Sequence, residues 1–343
     1  MLFRSYDLAN GVQCGPSGWR NYLLQAIGDQ VKGHQAVASW QALWPRSQVQ
    51  PDIVELFTAA TVTPVDGGWT GALNEIGLQD QRKLRPIACA EVLIKLGEGV
   101  DVAMEAKNLN RAYGDNQLGT GEPTAAPLIV YATRTWAEMV EETVDEHERP
   151  GPPPQSVATS SAGPMVVDQT DQHDVEPDQA CLAVDSKNAY GSMYRSVMLR
   201  AASTRAPRLA ARQATQWSRP TTVWVKLHGK WHNFTTQCGG WQGSQLMMHM
   251  FALGTEEVIQ PREFIFSAEG LARLGYADDL HFYGPVAALF RRWPMIVGAL
   301  RQAGLEVQPL KSKFWSPTAD KRERLGGCSI RVTAQRGANQ NQY

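Results

Sequence analysis

The sequence predicts an α+β fold, and three observations carry that reading. Apolar residues recur at helical spacing through the early part of the chain; the stretch around His228-Gly229 alternates like a β-hairpin; and Tyr276-Ala277-Asp278-Asp279 stands between two short apolar runs like a turn joining two strands. A chain of 343 residues with 43% apolar and 20% charged side chains has material for one large or two medium domains. That balance excludes collagen, a coiled coil and a wholly disordered chain.

The elements follow in order. Trp19, Tyr22, Leu23, Ala26 and Ile27, and later Ile53, Val54 and Phe57, predict two or three helices up to about residue 60, broken at Pro45 and Pro51. Gly67 to Gly77 reads as a loop. Arg85-Pro86-Ile87 is expected to open a helix through Glu91, Leu93, Leu96 and Val100, and Leu128, Val130 and Tyr131 continue apolar toward Trp136 and Met139. Leu182 to Val184 is a short strand of the buried type ending on Asp185, with a helical pattern after it through Met193, Val197 and Leu199. Val223 to Phe234 forms the hairpin; His228 and His232 on it read as strand surface, because a zinc pair at that spacing needs a helix and an accompanying Glu. Ser244 is placed to cap a helix whose Leu246, Met247, Met250, Phe251 and Gly254 face a core.

The formal charge of -1 hides an asymmetry. Between residues 138 and 178 there are eleven acids and one base, Arg149, which leaves 32 bases against 23 acids on the rest of the chain, a balance suited to binding phosphate. The same stretch holds GPPPQSVATSSAGP and few large apolar side chains, so it predicts a flexible insertion, with Asp168 to Asp178 a solvated loop. The five cysteines are far apart and form no Cys-x-x-Cys pair, so neither a disulfide framework nor a zinc knuckle follows. No apolar run approaches a membrane span and the start lacks a signal peptide's apolar core; the chain reads as soluble and intracellular, with no membrane partner.

Four patterns in the second half carry chemistry. Asp185 ends an apolar strand, and Tyr190 follows five positions later. Gly239-Gly240-Trp241-Gln242-Gly243-Ser244 supplies glycines that let another backbone or a base pair approach closely. In Tyr276-Ala277-Asp278-Asp279 the adjacent carboxylates repel, and a clustered doublet is costly unless a cation neutralises it. Gly304-Leu305 leads to Lys311, Ser312 and Lys313, and Leu325-Gly326 comes last.

Taken in order, these patterns resemble motifs A to E of reverse transcriptases, in flavour the non-LTR retrotransposon type. Gly15-Pro16-Ser17-Gly18-Trp19 resembles the family's early Gly-Pro-x-Gly segment, and Arg82-Lys83-Leu84-Arg85-Pro86-Ile87 its fingers motif with an Arg-Pro-Ile core. The resemblance covers nearly the whole chain apart from the insertion. It implies right-hand polymerase fingers and palm, with a ferredoxin-like antiparallel palm sheet and packed helices: N-terminal helices and fingers over 1–137, the insertion over 138–180, a palm over 181–335 and a disordered tail over 336–343. Only 17 residues follow Gly326, so the thumb is expected to be largely missing.

The implied reaction is RNA-templated DNA synthesis on an RNA template and DNA primer, using deoxynucleoside triphosphates. Such chemistry uses two Mg2+ ions about 4 Å apart, for which Mn2+ can substitute; hard oxygen ligands suit both. The resemblance assigns Asp185 and Asp278 as shared ligands, Asp279 as a weaker third and the Ser186 carbonyl as an extra one. Tyr190 takes the sugar-gate position, where a ring beneath the ribose leaves no space for a 2′-hydroxyl. Gln242 and Gly243 lie along the template base and nascent pair, Arg82, Lys83 and Arg85 grip the triphosphate, and Lys311, with Lys313 as its rival, serves as general acid for pyrophosphate. The pattern departs at Gly191, where this type often has Asp, at Gln245, which replaces a Pro, at Trp241, which is larger than usual, and at Asp66 in Thr63 to Gly67, where many relatives place Lys. A catalytically silent relative that keeps the fold and binds nucleic acid or a protein partner is the alternative reading.

Overall fold

A computed structural model describes residues 31–69, 82–113, 116–118, 125–148, 179–309, 311–316 and 331–332. The first helical pattern becomes α1 (Val31–Leu43) and α2 (Pro51–Thr58), with Pro51 in the first turn, where its fixed φ fits. Trp44, Val54 and Ile94 close a small core, and Trp40 packs against Trp44 and Phe57 at ring separations of 5.4 and 5.1 Å. Trp19 to Ile27 and the Gly15 to Trp19 segment lie outside the described residues.

Two expectations about the next stretch are corrected. β1 (Ala60–Trp69) runs into the start of the Gly-rich segment read as a loop, whose remainder, 70–81, lies outside the described residues. Arg85-Pro86-Ile87 does not open a helix: it lies in β2 (Arg82–Ala90), and the helix begins only at Val92. The residue before a proline is biased toward extended backbone, and β2 is a sheet edge, where a missing N–H is tolerated. Its partner Pro64 is opposite Pro86, beyond Ala60–Val62, the only part of β1 that pairs with β4.

Helix α3 (Val92–Tyr113) buries a face other than the one its apolar spacing indicates. Ile94, Leu109 and Tyr113 are buried, but so are Glu98, Asp101 and Glu105, while Leu93, Leu96 and Val100 are half-exposed. The acids are partnered from far along the chain: Asp101 by Arg208 and Arg212, and Glu105 by the Arg208 N–H at 2.8 Å. Helix α4 (Ala125–Glu148) continues through residues 138–148, which the sequence reading placed in the flexible insertion; Leu128, Val130, Tyr131 and Met139 are exposed on it. Residues 149–178 lie outside the described residues.

The second half builds β3 (Gln179–Val184), α5 (Ala189–Ser192), α6 (Arg195–Arg205), α7 (Pro207–Gln216), the hairpin β4 (Thr221–Leu227) and β5 (Lys230–Thr236), α8 (Gln245–Ile259), α9 (Glu263–Ala268), the hairpin β6 (Ala272–Tyr276) and β7 (Asp279–Pro285), α10 (Val286–Gln302), β8 (Lys313–Trp315) and β9 (Arg331–Val332). Two sheets result. One has the order β2-β1-β4-β5; the other, β6-β7-β3-β8-β9, is antiparallel except between β8 and β9. Helices α6, α8 and α10 bury Met198, Met250, Phe251 and Leu289 against Leu182 and Phe282 of the second sheet, so the expected Met and Phe stripe of α8 is core. Among the described residues no helix is long and apolar enough to cross a membrane. Leu325-Gly326 and 336–343 lie outside the described residues.

Candidate active site

The end of β3 and the tip of the β6–β7 hairpin meet. In the antiparallel register Val184 faces Leu280, so continuing one residue sets Asp185 across from Asp279. Tyr276 pairs with Asp279, which leaves Ala277 and Asp278 as a two-residue loop, and Ala277 takes the positive φ of 53° that such tight hairpins require. Three carboxylates thus collect at one end of two neighbouring strands. Although the Asp279 side chain is exposed, partial desolvation and then the charge of Asp185 raise its carboxyl above the ordinary range.

Side chains missed by sequence reasoning hold these turns. Buried Gln117 accepts the Ala277 N–H on its side-chain oxygen at 3.1 Å, while Gly275 donates to the Asn116 carbonyl at 2.6 Å and accepts from Leu118 at 2.8 Å. The Asp185 N–H donates to the Ser312 hydroxyl at 3.1 Å, and the Ser312 hydroxyl donates to the Gln308 carbonyl at 3.0 Å. Ser186 bridges Val307 through the Asp185 carbonyl and the Lys187 N–H, at 2.8 Å each, which leaves the Ser186 carbonyl out of that ladder. A Ser between two Lys was the visible trace of this support; Gln117 had none.

Tyr190 sits beside the acids on α5. Its ring packs on Phe251 of α8 at 4.8 Å, and burial first, then Asp278, Asp279 and Tyr276, hold its phenol above the usual range. The turn before α8 is fastened to α5, to the residue that ends it and to β2. Gly240 donates to the Tyr190 carbonyl and Gly239 to the Met193 carbonyl, both at 2.9 Å, and Ala88 of β2 donates to the Gln242 carbonyl at 3.1 Å. Gly243 has φ +118°, and a Cβ there would stand 2.7 Å from the Ala88 carbonyl oxygen; the fold itself therefore requires this glycine. The Gln242 side chain is exposed.

The cap of α8 forms as expected, with the Ser244 hydroxyl accepting the Met247 N–H at 3.3 Å. A second cap was not foreseen. Glu98, buried on α3, accepts the Ser244 hydroxyl at 3.0 Å and the Gln245 N–H at 2.9 Å on one carboxylate oxygen, and Gln216 at 3.3 Å on the other. Burial raises its carboxyl and these bonds oppose the rise. A proline at 245 would have no N–H to give, so this departure from the family pattern is tied to Glu98.

The other expected residues are dispersed. Lys311 is exposed in the turn after Gln308, and Lys313 is exposed on β8 opposite Ala183. Arg82, Lys83 and Arg85 lie along β2, with Arg85 opposite Val65 and Arg82 opposite Trp69. Among the described residues no group of three or more His, Cys, Asp or Glu is gathered closely enough to hold a metal ion.

No family model matches the chain, and no curated protein does. Among solved structures the fold is similar to apo telomerase from Candida tropicalis, with 10% identity, a TM-score of 0.51, and 84% of this chain covering 50% of that one. A form of the same telomerase truncated from its C-terminal domain gives 11% identity, a TM-score of 0.48, and coverage of 85% and 59%. The chain spans 50% and 59% of those chains' lengths. The likeness to the first structure shows a fold like that of this telomerase.

Proposed function

We propose that the chain carries out RNA-templated DNA synthesis as a retroelement-type reverse transcriptase, of non-LTR flavour, working on an RNA template, a DNA primer and deoxynucleoside triphosphates. The observation that carries this reading is the register that sets Asp185 at the end of β3 across from the Asp278-Asp279 hairpin tip, where desolvation first and the Asp185 charge second raise the Asp279 carboxyl. Carboxylates are hard oxygen donors, the ligand type that suits Mg2+, or Mn2+ in its place, and these would have to draw closer to hold an ion. Asp185 and Asp278 would hold two such ions, with Asp279 and the Ser186 carbonyl as further donors. Bound there, they would make the primer 3′-hydroxyl more acidic and neutralise the leaving pyrophosphate.

The chain's own residues do the rest. Tyr190, backed by Phe251, sits against the hairpin acids, where a ring would crowd a ribose 2′-hydroxyl. Arg82, Lys83 and Arg85 on β2 would grip the triphosphate, and β2 is tied to the Gln242 turn by the Ala88 bond. Lys311 or Lys313 would protonate or screen pyrophosphate from the β8 side.

The test is extension of a DNA primer on an RNA template with Mg2+ and deoxynucleotides, beside Asp278→Ala. Extension by the parent and none by the variant supports the reading; equal extension by both, or none by the parent, refutes it. One observation favours the second reading, a silent relative: no metal-sized acidic group is preassembled among the described residues. A parent that binds RNA without extending primers would be that protein.

A further inference from the structure

Residues 187 to 255 contain no Asp or Glu and nine Lys and Arg. Most of those cations are answered from outside the run or held by the fold. Lys187 pairs with Glu306 at 3.8 Å, Arg200 and Arg205 with Glu257 at 3.1 and 3.2 Å, and Arg208 and Arg212 with Asp101. Arg195 lies over the Trp217 ring at 5.0 Å and donates to the Gly239 carbonyl at 3.0 Å. Arg219, Lys226 and Lys230 remain. All three are exposed, form no ion pair with a described acid, and belong to the β4–β5 hairpin or its base.

Unusual aromatic exposure coincides with this unanswered charge. β5 is the free edge of its sheet, and Trp231 and Phe234 on it are 55% and 50% exposed. The register sorts them: Trp231 faces Lys226 and Asn233 faces Trp224, while Phe234 faces Val223. Val223 and Thr221 on Phe234's face of the hairpin are buried although Phe234 itself is half-exposed, while Trp231 shares its face with exposed Lys226 and Asn233. The Lys226 ammonium lies 5.9 Å from the Trp231 ring centre. The other edge of the same sheet is β2, the strand carrying Arg82, Lys83 and Arg85.

We infer that the Trp231 face of the β4–β5 hairpin binds a single-stranded nucleic acid, with the Trp231 ring as a stacking platform for a base and Lys226, Lys230 and Arg219 as contacts to phosphates. A flat exposed ring among unpaired cations matches a strand whose bases are free to stack, whereas a duplex offers phosphates but no open base face. The inference rests on the proposed function only in naming this strand the template.

The experiment measures binding of a labelled oligouridine RNA to the full chain by fluorescence anisotropy across a salt series, with an RNA duplex of matched length as comparator. Trp231→Ala is expected to weaken single-strand binding by about 5- to 150-fold and to leave duplex binding unchanged. Lys226→Gln with Lys230→Gln is expected to flatten the log–log salt dependence by about 1.4. Phe234→Ala, on the other side, changes affinity little. The inference is overturned by parental affinity in Trp231→Ala, by equal losses for duplex and single strand, by a larger effect of Phe234→Ala, or by variants that alter only self-association, which would mark β5 as a protein-pairing edge. Primer extension by a Trp231→Ala protein of parental affinity sinks this inference and spares the polymerase reading. Trp231-dependent binding by a protein that never extends a primer does the reverse.

Discussion

His249 gives the prediction that can be worked furthest. It is buried on α8, two residues before the Phe251 that backs Tyr190, with its Nδ1 2.9 Å from the Tyr113 hydroxyl of α3 and the two rings stacked at 6.2 Å. Burial lowers its pKa from 6.5 to about 4. A folded-state value below the unfolded one means that the stability contribution is whole above pH 6.5 and is lost as pH falls toward 4, because only the unfolded chain takes the proton in that window. At about 1.4 kcal/mol per pKa unit the full loss is about 3 kcal/mol, of which about 2 kcal/mol is gone by pH 5. The perturbation is His249→Gln, which can still meet the Tyr113 hydroxyl and does not titrate. Urea unfolding of both proteins from pH 7.5 to 5 gives the stability difference at each pH. Glu98, Glu256 and His281 also have shifted pKa values, but they are common to both proteins and cancel in that difference. The expected result is a parental advantage that shrinks by about 2 kcal/mol on going to pH 5. A difference flat to within about 0.5 kcal/mol would falsify the claim that His249 is held neutral by the α3–α8 contact.

Three further outcomes are expected. Tyr190→Val should admit ribonucleotides in primer extension while keeping deoxynucleotide incorporation, and unchanged sugar discrimination removes Tyr190 from the gate. Gly243→Ala should lose about 1–3 kcal/mol in thermal unfolding, from its left-handed φ and the Ala88 carbonyl, whereas Gln242→Ala should leave stability intact, so that its effect on primer extension tests the proposed template contact. Gln245→Pro, a change toward the family pattern and favourable for a helix start, should instead destabilise by about 1–3 kcal/mol because Glu98 loses a donor; a neutral or stabilising result shows that the Glu98 cap is not a structural requirement.

What could be read in the sequence was local. The Ser244 cap, the apolar face of α8, the turn at His228-Gly229 and the acidic hairpin are each set by residues within one or two turns of chain, and each is found in the structure. β2 was misread although Pro86 locally biases Arg85 toward extended backbone; the pairing with Pro64 and the sheet edge that make it a strand lie more than twenty positions away. The buried face of α3 was misread for the same kind of reason. Glu98, Asp101 and Glu105 look like the solvent side of a helix until Arg208, Arg212 and the Ser244 cap arrive from more than one hundred residues downstream. A buried acid is stable only with such partners, and no local pattern announces them.

The same long-range partners bear on how the candidate site is held. The turn from Gly239 to Gln245 takes hydrogen bonds from or gives them to Tyr190 beside the acids, Ala88 of β2 and Glu98 of α3. It joins β2 of the first sheet, α5 after β3 of the second sheet, and α3. Gly239 and Gly243 are there because the Tyr190–Gly191 backbone and the Ala88 carbonyl leave no space for a Cβ, which is a demand of the protein on itself. A shift of this turn would move Tyr190, β2 and the start of α8 together. The placement of Tyr190, β2 and Gln242 is therefore one mechanical property of the fold, and a substitution that loosens Glu98 should displace all three at once.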